Sequence, residues 1–250
     1  MSDTVDARRA GERLVVPGYA AEPPATHPPL DFPAYRATRL RVPGRALVPL
    51  PYRLTEVTGP LLGEGRVAEG DEDLTVQHVG APLGERIVVG GRVLEADGRP
   101  VPDTLVEVWQ ANAAGRYRHD VDRHPAPLDP NFSGAGRCVT DSEGRFRFVS
   151  VKPGAYPWRN HANAWRPAHI HFSVLGRAFV QRLITQMYFP GDPLFAFDPI
   201  LGSVPEAARE RLVSRLDLEL TVPEWALGYR WDIVLGGRAA TPLEDEEDDR

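Results

Sequence analysis

Short stretches of alternating apolar and polar residues fill most of the chain beyond residue 85, with the period of two that marks a half-buried strand. Residues 104–109 and 145–149 alternate in this way, and residues 86–94 form a β-branched apolar run containing Ile87, Val88, Val89 and Val93. Residues 168–174, 182–188 and 229–235 are further candidate strands. Turn residues separate these runs, Asp97-Gly98 after the first and a loop ending at Gly144 before 145–149. Several short strands bounded by Gly and Pro turns predict an all-β chain, a β-sandwich or barrel. We take it as a single β-sandwich domain over 35–238. One short helix is expected near the C-terminus, where Ser203 and Glu206 have the capping-box spacing and Leu212, Val213 and Leu216 follow at helical intervals.

The ends differ from this pattern. Pro17, Pro23, Pro24, Pro28, Pro29 and Pro33 make residues 1–34 a Pro-rich N-terminal arm, expected to run extended over a surface. Turn signals such as Pro43-Gly44 and Gly59-Pro60 continue up to about residue 80, and no internal repeat is visible. Residues 239–250 read as an acidic disordered tail: Glu244, Asp245, Glu246, Glu247, Asp248 and Asp249 are consecutive acids, to which solvation alone gives a sufficient reason.

Composition supports the turn-rich reading. Gly and Pro together make up about 19% of the 250 residues, against ~12% in an average chain, which argues against a helical bundle. A chain of this length buries enough surface to fold without disulfides, and its single cysteine, Cys138, rules out an internal one as well as a Cys-rich zinc module. The net charge of −6 comes from the acidic tail, leaving a near-neutral body without the cationic surface that nucleic acid requires. No apolar stretch approaches the length of a membrane span and no signal peptide is visible, so a cytoplasmic location is expected.

The candidate chemistry centres on His169 and His171. Two residues apart on a strand, they project from one face, and a pair of imidazoles held this way suits zinc, copper or iron; two hydrogen-bonded histidines on a polar face fit the spacing equally well. No HExxH helix accompanies them, Cys138 reads as an inert buried thiol, and no carboxylate stands at a telling spacing. Tyr156, in a proline-pinned turn, and Tyr117, after a strand, are the other candidates. A phenol titrates near 10 but a trivalent cation holds it as phenolate. By spacing alone, an ordinary place in the core or on the surface explains both tyrosines better than a ligand role.

Longer motifs go further. Val89-Gly90-Gly91-Arg92-Val93, then Val106-Glu107-Val108, then Gly115-Arg116-Tyr117 resemble the signature of the intradiol ring-cleavage dioxygenases. Tyr156-Pro157-Trp158-Arg159-Asn160 and Trp165-Arg166-Pro167-Ala168-His169-Ile170-His171 resemble that family's ligand segment. Asp103 to Asn112, Ala126-Pro127-Leu128-Asp129-Pro130-Asn131-Phe132 and Gln186-Met187-Tyr188-Phe189-Pro190-Gly191-Asp192-Pro193 are similar to the β-chain branch of the family, which acts on protocatechuate. The likeness runs from about Tyr35 to Leu235 with no departure at a ligand position.

The resemblance implies one non-haem Fe(3+) per chain, held by Tyr117, Tyr156, His169 and His171, with Tyr156 the phenolate displaced by substrate and acting as general base. It implies a substrate pocket with Arg166 as the charge-stabilising cation and Gln186, Trp158 and, on a weaker local motif, Tyr35 as lining. Trp109 and Ile200 match wall residues for which core packing is sufficient reason. The implied reaction is cleavage of protocatechuate (3,4-dihydroxybenzoate) by O2 to 3-carboxy-cis,cis-muconate in the β-ketoadipate route of aromatic catabolism, in an αβ hetero-oligomer with a related α chain. Two alternatives stand beside it. Relatives cleaving catechol or hydroxyquinol have a helical N-terminal region where this chain is Pro-rich, and a non-catalytic scaffold subunit, like the α chain, lacks the full set of two tyrosines and two histidines.

Overall fold

The computed structural model describes residues 25–46, 67–175 and 182–244. Eleven strands are defined among them: β1 Arg86–Leu94, β2 Leu105–Trp109, β3 Ala135–Val139, β4 Arg145–Val151, β5 Tyr156–Trp158, β6 Ala164–Arg166, β7 His169–Leu175, β8 Arg182–Tyr188, β9 Arg215–Leu216, β10 Leu227–Arg230 and β11 Ile233–Val234. Three one-turn helices accompany them, α1 Thr38–Arg41, α2 Pro199–Ser203 and α3 Glu206–Arg209.

The first sheet is organised around β1. It pairs antiparallel with β4 along one edge and parallel with β10 and then β11 along the other, and β9 extends the sheet beyond β10. The second sheet has the order β3-β2-β7-β8, antiparallel throughout. Their inner faces meet in one core. Val89, Val93, Phe146 and Phe148 from the first sheet cluster with Val106, Val108, Ile170, Phe172 and Val174 from the second. Phe172 is central, with the rings of Phe146, Phe148 and Trp231 centred 5.9, 5.8 and 4.8 Å from its own. This is the sandwich that the period-two runs predict. Among the described residues no helix is long and apolar enough to cross a membrane.

Alternation along β7 positions the site. Ile170, Phe172 and Val174 turn into the core, so His169, His171 and Ser173 turn to the opposite face of the same sheet. The short β5–β6 ribbon lies outside this sheet and joins it through the Arg166-Pro167-Ala168 corner.

The helix expected from residue 203 onward takes another form. Ser203 ends α2, where its hydroxyl donates to Ile200 O (2.7 Å) instead of capping a following helix. Pro205 precedes α3, which lasts one turn and tightens into a 3-10 turn over Glu210–Leu212. Val213 is already extended, because Ser214 N donates to Tyr188 O (2.9 Å) and the chain pairs with the end of β8. Leu216 then sits on β9, 51% exposed. The spacing of Leu212, Val213 and Leu216 fits a helix, but pairing with a distant strand decides their conformation.

Of the N-terminal arm, residues 25–34 are described. The chain continues into Tyr35 and α1, pinned to the loop after β5: Arg36 N donates to Asn160 Oδ1 (2.8 Å), and Asn160 Nδ2 donates to Ala34 O (2.7 Å). Residues 1–24, the Gly59-Pro60 turn signal and residues 245–250 of the acidic run lie outside the described residues. Residues 241–244 pack against the sandwich: Thr241 N donates to Val234 O (2.9 Å), Thr185 Oγ1 to Pro242 O (2.7 Å) and Glu244 N to Ile184 O (2.7 Å).

Candidate metal centre

On the outer face of the second sheet, register brings chemistry together. Trp109 on β2, His171 on β7 and Gln186 on β8 stand directly across from one another, and His169 is paired in the same way with Tyr188. The Trp109 ring stacks on His171, with centroids 4.8 Å apart and planes 5° from parallel.

Two phenols reach this face from outside the sheet. Tyr156 arrives on β5, which pairs with β6 so that Tyr156 faces Arg166. Tyr117 arrives on a loop tied by Asn112, whose Oδ1 accepts from Ala114 N (2.9 Å) and Arg116 N (3.0 Å), while Asp122 Oδ2 accepts from Tyr117 N (2.8 Å). Gly115 lets this loop lie against the chain before Tyr156: its φ is +75°, and a Cβ there would fall 2.1 Å from Ala155 O.

The polar ends converge. Tyr156 Oη lies 3.4 Å from His169 Nε2, Tyr117 Oη lies 3.2 Å from His171 Nε2, and the two phenol rings meet edge to face with centroids 5.3 Å apart. The far side of each imidazole is occupied. Pro167 O accepts from His169 Nδ1 (2.7 Å), and Glu244 Oε2 lies 3.1 Å from His171 Nδ1. A carbonyl only accepts, so His169 carries its proton on Nδ1 and leaves the Nε2 lone pair facing Tyr156 and the Arg166 guanidinium. Among the described residues no group of three or more His, Cys, Asp and Glu side chains is placed to hold a metal ion.

Arg166 closes the site from below. Nη1 donates to His169 Nε2 (3.1 Å) and Tyr156 Oη (3.4 Å); Nη2 donates to Gln186 Oε1 (2.5 Å), Tyr188 Oη (2.9 Å) and Asp198 Oδ2 (3.1 Å). Trp158 flanks the guanidinium, which lies 5.8 Å from its ring centre, and Tyr35 meets Trp158 edge on at 5.3 Å. The eight residues singled out from the sequence, Tyr35, Tyr117, Tyr156, Trp158, Arg166, His169, His171 and Gln186, therefore form one contiguous cluster.

Burial sets the electrostatics. It chiefly pushes Tyr117 well above the usual phenol value, with the neighbouring Tyr156 adding to the effect. Tyr156 is also raised by burial, but the charge and hydrogen bond of Arg166 oppose the rise. Burial, then the Arg166 and His171 charges, hold His169 well below the usual histidine value and therefore neutral. Burial would lower Arg166, but Asp198 and the surrounding oxygens outweigh it and keep the guanidinium charged. Glu244 is also below its ordinary value: burial works to raise it, and the His171, Arg166 and Gln186 contacts prevail. The neutral His169, a second imidazole and two phenols that ionise only beside a concentrated positive charge suit a trivalent metal ion. Cys138 has no part in this cluster; it is buried in the core, which pushes its thiol up to about 12.

Three contributors were not singled out beforehand. Tyr188 lies two residues beyond Gln186 on the same face of β8, so alternation could have found it. Asp198, before α2, and Glu244, in the acidic run, carry no local signal of their own.

The chain has relatives among known proteins. Residues 57–237 match the family model described as "Dioxygenase", and residues 19–53 match that described as "Protocatechuate 3,4-dioxygenase beta subunit N terminal". The chain is 61% identical over 221 residues to a protocatechuate 3,4-dioxygenase beta chain of Burkholderia cepacia, covering 88% of this chain and 94% of that one. It is 31% identical over 168 residues to the alpha chain from the same organism, covering 65% of this chain and 78% of the other. Among solved structures, the 3-chlorocatechol 1,2-dioxygenase of Rhodococcus opacus 1CP shares the fold at a TM-score of 0.53 and 24% identity, over 68% of this chain and 66% of that one. The match of sequence over nearly the whole described sandwich, joined to this fold, places the chain in the intradiol ring-cleavage dioxygenase family.

Proposed function

We propose that this chain is the catalytic β-type chain of an αβ dioxygenase that cleaves protocatechuate with O2 between its two hydroxyl-bearing carbons, giving 3-carboxy-cis,cis-muconate. The family generally depends on non-haem iron; here Tyr117, Tyr156, His169 and His171 would hold one iron(III) per chain. The observation that carries the reading is the convergence of two phenol oxygens and two imidazole Nε2 atoms, each phenol within 3.4 Å of its imidazole. The donor set fits ferric rather than ferrous iron, because phenolate oxygen favours the higher charge. Bound there, iron(III) supplies the Lewis acidity and the electronic route by which a closed-shell catecholate reacts with triplet oxygen.

This chain's own residues do the rest. Held as phenolate by the metal's charge, Tyr156 Oη would take one proton from a substrate hydroxyl; the charge and hydrogen bond of Arg166 favour that phenolate against burial. Tyr117 stays fixed by its Asn112 and Asp122 ties. Arg166, its Nη2 held by Gln186, Tyr188 and Asp198, keeps a permanent positive charge where electron density accumulates on the ring. Trp158 and Tyr35 give the wall an apolar surface that excludes water. Relatives that are an alpha and a beta chain of one enzyme support an α-type partner.

The test is co-expression with an α-type chain and product analysis on 3,4-dihydroxybenzoate under oxygen. Stoichiometric formation of the carboxymuconate is expected. Turnover of catechol but not of its 4-carboxylate would assign the chain to the catechol branch instead, and no iron-dependent turnover of either would leave the scaffold role.

A further inference from the structure

Glu244 opens the acidic run at the end of the chain, and solvation alone would explain such a residue. Its surroundings are different. The strand-like segment 241–244 is stitched to β11 and β8 by the three hydrogen bonds from Thr241, Thr185 and Glu244 itself. This carries the Glu244 side chain over the outer face of the second sheet, where it is 9% exposed. Both carboxylate oxygens are engaged. Oε2 lies 3.1 Å from His171 Nδ1, and Oε1 accepts a short hydrogen bond from Gln186 Nε2. Gln186 Oε1 in turn accepts from Arg166 and Tyr188, so the amide has one orientation and aims its NH2 at Glu244.

The two imidazoles of the centre differ in what serves their outer nitrogen. For His169 a backbone carbonyl does so, from the corner that the fold requires anyway. For His171, among the described residues, the acceptor at that nitrogen is a side chain 73 residues away. Stacking on Trp109 fixes the plane of the His171 ring but not which edge faces Tyr117. An acceptor at Nδ1 settles both the edge and the position of the proton.

We infer that Glu244 is a positioning residue for the metal centre: its carboxylate, tethered by Gln186, accepts the Nδ1 proton of His171 and commits the Nε2 lone pair to the metal. The inference rests on the metal-centre reading above. A carboxylate behind a ligating imidazole does two separable things: it fixes the ring, and by its charge it makes the nitrogen a stronger donor that favours the ferric over the ferrous state.

Three variants separate these effects in the full chain purified with its α-type partner: Glu244→Ala, Glu244→Gln, and a chain ending at Glu244. Iron loss to a chelator, the ferric/ferrous midpoint potential and the phenolate-to-iron absorption band are read for each. Glu244→Ala is expected to weaken iron binding by about 10- to 100-fold and to move the potential positive. Glu244→Gln, whose amide oxygen still accepts from Nδ1 although its NH2 no longer accepts from Gln186, is expected to lose less affinity than Glu244→Ala yet show the positive shift. The chain ending at Glu244 is expected to match wild type in all three. Wild-type affinity and potential in both substituted proteins would overturn the inference. So would an equal loss on removing only residues 245–250, because that would assign the effect to the other acids. A wild-type protein that takes up iron without a phenolate band, or takes up none, would instead overturn the reading of the centre, and the inference with it.

Discussion

Arg166 keeps its charge with 2% of its side chain exposed, opposite an Asp198 side chain that is fully buried. Taking two charges out of water costs several kcal/mol for each ion, and the pair is tolerable because every nearby acceptor is used. Removing one partner exposes the cost. Asp198→Ala is expected to destabilise the fold by about 3–5 kcal/mol, read as a lowered denaturation midpoint with an unchanged slope. Pairing it with Arg166→Met should recover part of the loss, since no charge is then left alone. Legibility varied at this scale for a physical reason. His169 and His171 declare themselves through alternation along one strand. The acceptors at Arg166 Nη2 lie 20, 22 and 32 residues away, so nothing in the local pattern around residue 166 points to them. Glu244 was obscured further, because a run of acids has a sufficient explanation in solvation and only the path of the backbone lifts one of them into the site.

Elements show the same division. Strands announced by alternation or by a β-branched run, β1, β2, β4, β7 and β8, lie close to where the sequence puts them. β3, Ala135–Val139, escapes notice because its inward positions are only Gly136, half-buried, and Cys138, buried, too little of an apolar face to signal a strand. β5 and β6 are three residues each, and Pro157 disguises the first as a turn. The expected helix after residue 203 breaks up because β8 captures Val213 and Ser214. Loops can be as demanding as strands. In Gly115→Ala the left-handed backbone costs about 1–2 kcal/mol, and the new methyl group meets Ala155 O, so the Tyr117 loop must withdraw from the Tyr156 ribbon. The expected outcome is a protein with normal far-ultraviolet circular dichroism but reduced iron content and a weakened phenolate band. Full iron occupancy would show that the loop adjusts without moving Tyr117.

Across the whole molecule, the first sheet depends on pairings remote in sequence. β1 spans Arg86–Leu94, yet the strands that flank it on one side are Leu227–Arg230 and Ile233–Val234. Gly91 makes that junction tight, since a Cβ there would fall 1.7 Å from Trp231 O. A chain ending at residue 226 would keep every proposed metal ligand but leave this edge of β1 open, and such edges pair with other chains. It is expected to accumulate as insoluble material, whereas the chain ending at Glu244 should unfold cooperatively like wild type; both are checked by the soluble fraction and a thermal melt. A newly made polypeptide passes through the same condition. At ~5–20 residues per second, roughly 7 to 27 s separate the synthesis of Leu94 from that of Leu227. During that interval β4 can cover one flank of β1 but nothing can cover the other. Shelter by ribosome-bound chaperones, and the pace of translation through the intervening codons, thus become determinants of how much working enzyme a cell obtains.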